Sequence, residues 1–232
     1  MGRGGRCSAG EDRLDVPSAI LAAGGRGERS GSSFPKQFRL LAGRSLLARS
    51  LDAALAAGCR PCLVAAPAHY LDRARAEADH PDVVVVAGGP NRQASVRAAL
   101  ELVDSDTVVV HDAARPLAPV SLFEAVIEAL SDADGAVPGV AVDETLKRVH
   151  SGLVEETVAR DCLYRVQTPQ AFRTAALKEA HERAERDGFE ATDDAQLLER
   201  VGYRVRLVDA GAPNPKLTHP HDFELAEMML RT

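Results

Sequence analysis

The stretch Ala19-Ile20-Leu21-Ala22-Ala23-Gly24-Gly25-Arg26-Gly27-Glu28-Arg29-Ser30, running on to Phe34-Pro35-Lys36-Gln37-Phe38, decides how the rest of the chain is read. Its apolar run ends in small residues and passes at once into Gly24, Gly25 and Gly27, the pattern of a buried strand whose carboxyl end opens into a backbone-rich loop. Without Cβ atoms the backbone N–H groups approach an anion closely, and Arg29 and Lys36 place two cations beside it. Such a loop suits a triphosphate. A P-loop would end in Gly-Lys-Ser/Thr, whereas Gly27 is followed by Glu28 and Arg29. A dinucleotide fingerprint needs a third glycine where Ser30 stands, and an acidic residue on a second strand that is missing here. The plain alternative is a glycine-rich turn with solvated basic side chains.

Outward from this stretch the chain alternates strand and helix. Leu46, Leu47, Leu51, Ala54 and Leu55 fall at helical spacing, predicting a helix over Ser45 to Ala57 that Gly58 ends. Cys62 to Ala66 reads as a second buried strand, Ala68 to Ala78 as a helix and Val83 to Val86 as a third strand. A helix over Asn91 to Leu102, a strand over Thr107 to Val110 and a helix over Val120 to Leu130 continue the rhythm. The fold class is therefore α/β, a three-layer α/β/α sandwich around a mostly parallel, mixed sheet.

The rhythm breaks between about Val140 and Val166. Glu144 to Val149, a turn at Ser151-Gly152, and Leu153 to Val158 alternate apolar and polar residues as a protruding β-hairpin arm would. An isolated hairpin is marginal in water, so the 140–166 arm is expected to pack on its counterpart in a homodimer. The chain returns through Tyr164 to Val166, a turn-like Thr168-Pro169-Gln170, helices over Thr174 to Arg186 and Ala195 to Val201, a strand over Arg204 to Val208 and a helix over Asp222 to Leu230. Residues 1–16 read as a disordered leader and 17–232 as a single domain.

Composition narrows the function. The 232 residues suffice for a full α/β core, and 45% hydrophobic with 27% charged residues is ordinary for a globular enzyme. A net charge of −6 disfavours nucleic acid as a partner and confines any phosphate site to a local basic pocket. No apolar run approaches the roughly 18 residues of a membrane span, and no apolar segment follows the basic N-terminus, so a cytoplasmic location without membrane attachment is expected. Cys59-Arg60-Pro61-Cys62 matches C-x-x-C, but it follows a helix end and enters an apolar run, the reverse of a redox motif. Buried small side chains are the better reading there.

Ligands of open α/β sheets lie beyond the carboxyl ends of the parallel strands. After the third strand stand Gly88 and Gly89, which let backbone groups reach a flat base edge, and Ser95, whose hydroxyl adds a contact one turn into the next helix. After the fourth stands His111-Asp112-Ala113-Ala114-Arg115. Asp112 among phosphates is a natural Mg²⁺ ligand, since that ion binds through one or two carboxylates plus substrate oxygens. A helix cap or a partner for Arg115 is its structural alternative. His111, between a strand and an acidic residue, reads as structural.

The set Ala22-Ala23-Gly24…Arg29…Pro35-Lys36-Gln37, Gly88-Gly89…Arg92…Ser95-Val96, Val110-His111-Asp112-Ala113-Ala114-Arg115-Pro116, Thr145-Leu146-Lys147-Arg148, Gln167-Thr168-Pro169-Gln170-Ala171-Phe172, Thr192-Asp193-Asp194 and Lys216-Leu217-Thr218 resembles, in order, the 2-C-methyl-D-erythritol 4-phosphate cytidylyltransferase family. The resemblance covers the chain from about residue 18 to its end. It implies a nucleotide-diphospho-sugar transferase type of fold, a dimerising arm, Mg²⁺ as cofactor, and CTP and a polyol phosphate as substrates. By the same resemblance Arg29, Lys36, Arg160 and Lys216 would be catalytic. Ala22, Ala23, Gly24, Gly25, Gly27, Gly88, Gly89 and Ser95 would bind CTP. Arg115, Thr145, Thr168 and Thr192 would contact the acceptor, and Asp112 the metal. Here two residues, Gly25 and Arg26, separate Gly24 from Gly27 where family members usually have one, and Pro90 stands where many have an acidic residue. A sibling enzyme for another polyol phosphate such as ribitol 5-phosphate, or a non-catalytic nucleotide-binding module, would share most of these motifs.

Overall fold

The structure, a computed structural model, describes residues 16–24, 35–211 and 214–231. The expectations for Gly25, Gly27, Arg29 and most of the 1–16 leader lie outside the described residues. In chain order the elements are β1 (Ser18–Ala22), β2 (Leu40–Leu41), β3 (Arg44–Ser45), α1 (Leu46–Ala56), β4 (Cys62–Ala66), α2 (Leu71–Glu77), β5 (Val83–Ala87), α3 (Arg92–Leu100), β6 (Thr107–Asp112) and α4 (Val120–Glu128). There follow β7 (Gly135–Ala141), β8 (Leu146–His150), β9 (Leu153–Val158), β10 (Tyr164–Val166), β11 (Gln170–Arg173), α5 (Thr174–Asp187), α6 (Asp194–Arg200), β12 (Val205–Asp209) and α7 (Pro220–Met229).

The main sheet runs β10-β7-β11-β6-β1-β4-β5, with β12 on the other edge of β7. β1 lies parallel between β4 and β6, β5 extends the parallel set, and β12 runs parallel to β7. Antiparallel pairing enters through β11 and β10. The alternation of strand side chains makes the layers. Ala19, Leu21, Val64 and Val109 face a core shared with α1, α2 and α4, whereas Ile20, Leu63, Ala65, Val108 and Val110 face one shared with α3, α5 and α6. Phe123 anchors the first core and Phe172 the second, both fully buried, each worth on the order of 2–3 kcal/mol of burial.

The helix ends follow from local chemistry. Ser45 caps α1 by accepting from Ala48 N–H at 3.1 Å, and Gly58 at φ +82° follows the helix. Asn91 caps α3 in the same way, accepting from Ala94 N–H at 2.8 Å. Cys59 and Cys62 are buried, and burial pushes both thiols up to about 12, so they behave as small apolar side chains.

Two strands, β7 and β11, are not read as strands from the sequence. β7 is built from Gly-Ala-Val-Pro-Gly-Val-Ala, a turn-like composition, yet it pairs with β12 on one edge and with β11 and β10 on the other. Its glycines answer crowding: a Cβ on Gly139 would lie 2.6 Å from Leu207 Cδ1, and one on Gly135 3.0 Å from Phe172 Cδ1. β11 begins at Gln170, inside the expected turn, because Ala171 and Phe172 are buried between β6 and β7.

The hairpin β8–β9 is a separate two-stranded sheet, and its residues enter none of the three buried clusters. Val149, Leu153 and Val154 stay more than half exposed on it.

Candidate active site

The carboxyl ends of β1 and β6, the start of α3 and the segment before α7 surround a cleft of about 380 Å³. Ala22, Ala23, Gly24, Lys36, Asp112, Thr192 and Lys216 all line it, together with Pro90, Asn91 and Arg92. Residues as distant in the chain as Ala22 and Lys216 thus meet where an open parallel sheet places its ligands.

Each wall has a local cause. Lys36 stands on a single 3₁₀ turn that is anchored by Gln37, buried, whose Nε2 donates to the Ala23 carbonyl at the end of β1. Gly24 and Gly88 are glycines because the first turn of α3 presses against them: a Cβ at either would lie 2.8 Å from Ser95 Oγ. Ser95 is fully buried and donates to the Asn91 carbonyl at 2.8 Å, so its hydroxyl sets the spacing of the two glycine turns. Gly89 meets Ala94 in the same way.

The electrostatic centre is Asp112. Its Oδ1 accepts from Arg92 Nε at 2.8 Å and its Oδ2 from Lys216 Nζ at 2.6 Å. Arg92 reaches on through Nη1 to Asp194 Oδ2 at 2.6 Å, and His181 lies 3.4 Å from the other oxygen of Asp194. Burial alone would raise the carboxyl pKa of Asp112, but Arg92 and Lys216 overcome it and hold Asp112 well below the usual range. Asp194 is likewise lowered, against burial, by Arg92 and His181. Burial weakens the charge of Arg92 in turn, and its two carboxylates more than restore it. The result is a buried, ionised bridge whose exposed end is Lys216, 42% accessible.

Beneath Asp112, His111 is fully buried, and burial pushes its pKa down to about 4. The ring is neutral and packs against Phe123 at 5.0 Å between centroids, consistent with the structural role read from the sequence. Thr168, read as an acceptor contact, is 5% exposed, and its hydroxyl accepts from Asp112 N–H at 3.0 Å and lies 3.1 Å from His111 Nδ1. Arg115 donates through Nη1 to the Asn214 carbonyl at 2.7 Å and lines an adjoining cleft of about 450 Å³ that shares Lys216. Thr145 and Arg160 are exposed on the arm, outside the lining of this chain's own cleft, with Arg160 Nη1 donating to the Asp143 carbonyl.

Arg92, Asp194 and Asn214 carry the geometry without having been assigned roles from sequence. Arg92 and Asp194 each fall at the start of a helix, where charge has a plain capping or surface explanation. Only the fold brings them together across 102 positions.

A cleft with Lys36, Arg92 and Lys216 at the strand ends can bind polyphosphate and stabilise charge that moves between phosphate oxygens. Among the described residues no three His, Cys, Asp or Glu side chains cluster as a preformed metal cage. A single carboxylate is the donor set that Mg²⁺ uses beside substrate phosphates.

The family model for 2-C-methyl-D-erythritol 4-phosphate cytidylyltransferase matches residues 18–232. The chain is similar to the protein of that name from Aquifex aeolicus, 44% identical over 213 residues, covering 92% of this chain and 97% of that one. It is also similar to the bifunctional enzyme IspD/IspF of Rhizorhabdus wittichii, 42% identical, where 90% of this chain spans 55% of the relative's length. The crystal structure of 2-C-methyl-D-erythritol 4-phosphate cytidylyltransferase from Thermus thermophilus superposes with a TM-score of 0.79 at 38% identity, covering 93% of this chain and 99% of that one.

Proposed function

The chain belongs to the 2-C-methyl-D-erythritol 4-phosphate cytidylyltransferase family, and from that premise we propose how its cleft works. The enzyme transfers the cytidylyl group of CTP to 2-C-methyl-D-erythritol 4-phosphate, releasing pyrophosphate and 4-diphosphocytidyl-2-C-methyl-D-erythritol for isoprenoid precursor synthesis by the non-mevalonate route. A phosphate oxygen of the acceptor forms a bond to the α-phosphorus, and the bond from that phosphorus to pyrophosphate breaks. The nucleophile is a phosphate monoester with second pKa near 6, already anionic at neutral pH, so no general base is needed. The barrier is repulsion. Two unit charges at about 4 Å cost about 4 kcal/mol at an effective dielectric of 20, and several such pairs form as the acceptor approaches.

Cations therefore supply the catalysis, and the observation that carries this reading is Asp112 held between Arg92 and Lys216 in the cleft that Lys36 also lines. Arg29 and Lys36 act on the triphosphate, and Lys216 and Arg115 on the acceptor phosphate. Ala22, Ala23 and Gly24 carry the nucleotide along the end of β1, continued by Gly25 and Gly27, while Gly88, Gly89 and Ser95 shape the base pocket. Thr192 borders the acceptor. Mg²⁺ would be held by Asp112 together with triphosphate oxygens and water, and bound there it would offset triphosphate charge.

The 17–232 segment works as one domain in a cytoplasmic homodimer joined through the 140–166 arm. The exposed Val149, Leu153 and Val154 support that pairing, and Thr145 and Arg160 at the arm's ends then serve the partner's cleft. Pyrophosphate release, measured over four nucleoside triphosphates and a panel of polyol phosphates, tests the reading. CTP with methylerythritol phosphate should be fastest, and faster turnover with UTP or ribitol 5-phosphate would overturn it.

A further inference from the structure

We propose that His111 is a positioning residue for this reaction: through Thr168 on one ring nitrogen and the Arg115 carbonyl on the other, it fixes the main chain that presents Asp112 and Arg115 to the cleft. The inference rests on reading that cleft as the transfer site. It starts from the alternation of β6, which sends His111 to the α4 face, against Phe123, and Asp112 to the opposite face, where Arg92 waits. The two side chains therefore lie on opposite faces of β6, and the hydrogen-bonded route from the imidazole toward Asp112 passes through the Thr168 hydroxyl and ends on the Asp112 main-chain N–H.

The ring's tautomer follows from its partners. His111 Nε2 lies 3.1 Å from the Arg115 carbonyl oxygen, which only accepts, so Nε2 carries the proton and donates. Nδ1 is then an acceptor. It lies 3.1 Å from Thr168 Oγ1, so the threonine hydroxyl donates to it, while the same oxygen accepts from Asp112 N–H at 3.0 Å. Every member has one role that the others dictate. The directed chain runs from Asp112 N–H through Thr168 O–H and the imidazole to the Arg115 carbonyl, closing a loop around Asp112-Ala113-Ala114-Arg115, which Arg115 N–H donating to the Asp112 carbonyl at 2.9 Å also braces.

Two further ties make the loop part of the site. Asn214 Nδ2 donates to the Thr168 carbonyl at 2.8 Å, and Arg115 Nη1 donates to the Asn214 carbonyl at 2.7 Å. The segment leading to Lys216 is thereby fastened to the residues that hold Asp112. Thr168, on this reading, serves the acceptor through Asp112 and Lys216, with no direct contact of its own.

The test separates positioning from bulk stability. His111→Leu should lower kcat by about tenfold or more while leaving both Michaelis constants within about threefold. His111→Asn, whose amide oxygen falls near the position of Nδ1, should recover most of that loss. His111→Gln, which reaches only toward the Arg115 carbonyl, should not. Thr168→Val should resemble His111→Leu, Thr168→Ser should stay near wild type, and the double change His111→Leu with Thr168→Val should be little worse than either alone. Imidazole ¹⁵N spectra of the wild-type protein should report the Nε2–H tautomer for His111. An Nδ1–H tautomer, an unchanged kcat in His111→Leu, or multiplicative losses in the double variant would overturn the proposal. If His111→Leu does not fold, the Thr168 pair and the spectrum decide it. A wild-type protein without cytidylyltransferase activity would sink the functional reading instead, and the tautomer and the coupling of the two sites in thermal stability would still test the relay.

Discussion

Arg92 places one guanidinium between two buried carboxylates, and its planar fork is the reason a lysine cannot replace it. Arg92→Met leaves Asp112 and Asp194 without their shared counter-charge, and should cost about 3–5 kcal/mol of stability, read as a lowered Tm. Arg92→Lys should fold better but reach only one carboxylate, so kcat should fall by about tenfold or more as Asp112 loses its fixed orientation. A lysine variant with wild-type kcat would show that Asp112 does not need the bridge. At this scale the sequence was partly legible. Lys36 and Asp112 announce themselves by residue type after strand ends, Lys216 only through the family resemblance, and the structure brings all three into one cleft. Asp194 does not, because an acidic pair opening a helix is explained as well by capping, and Asp193 is indeed the cap, accepting from Gln196 N–H at 3.0 Å.

Among the elements, α7 links stability to the site. Asp222 Oδ2 accepts from the N–H groups of Thr218 and His219, both at 2.7 Å, and Phe223 and Ala226 then pack with Leu217, next to Lys216. Burial opposes ionisation of Asp222, but those two N–H groups prevail and lower its pKa. A carboxyl with a depressed folded-state pKa contributes stability above its unfolded value near 4 and loses it as pH falls through the folded value. Asp222→Asn should therefore cost about 1 kcal/mol, a few degrees of Tm, at neutral pH, and the difference from wild type should vanish in acid. A difference that persists once the pH is low enough to protonate the folded-state carboxyl would mean the charge is not the cause.

The arm makes a second prediction at this scale. Leu153→Glu with Val154→Glu alters side chains more than half exposed, so the fold should survive by circular dichroism while sedimentation shows the dimer weakened by about tenfold or more. An unchanged dimer would remove the arm from the interface. The hairpin was readable because two strands with a Ser151-Gly152 turn need no distant partner. β7 and β11 were not, since glycine and proline in β7 and a proline just before β11 mimic turns. Their strand character comes from neighbours far along the chain: Val208 opposite Pro138, and Val109 opposite Ala171.

For the whole molecule, the β-α-β rhythm made the three layers legible, because parallel strands covered on both faces must be apolar throughout and their helices must recur between them. The proposed exchange of arms predicts complementation. Inactive Lys36→Ala and Arg160→Ala proteins, unfolded and refolded together in equal amounts, should form about half mixed dimers, each with one intact site, returning about a quarter of wild-type activity. Subunit exchange without recovered activity would place Arg160 in its own chain's site.

The direct test of the chemistry follows the oxygen atoms. With ¹⁸O in the phosphate of methylerythritol phosphate, unlabelled CTP and Mg²⁺, ³¹P NMR should find all of the label in the cytidyl diphosphate product and none in an equal amount of pyrophosphate. Label in pyrophosphate, or pyrophosphate formed with free CMP and no diphosphate product, would contradict attack by the acceptor phosphate on the α-phosphorus of CTP.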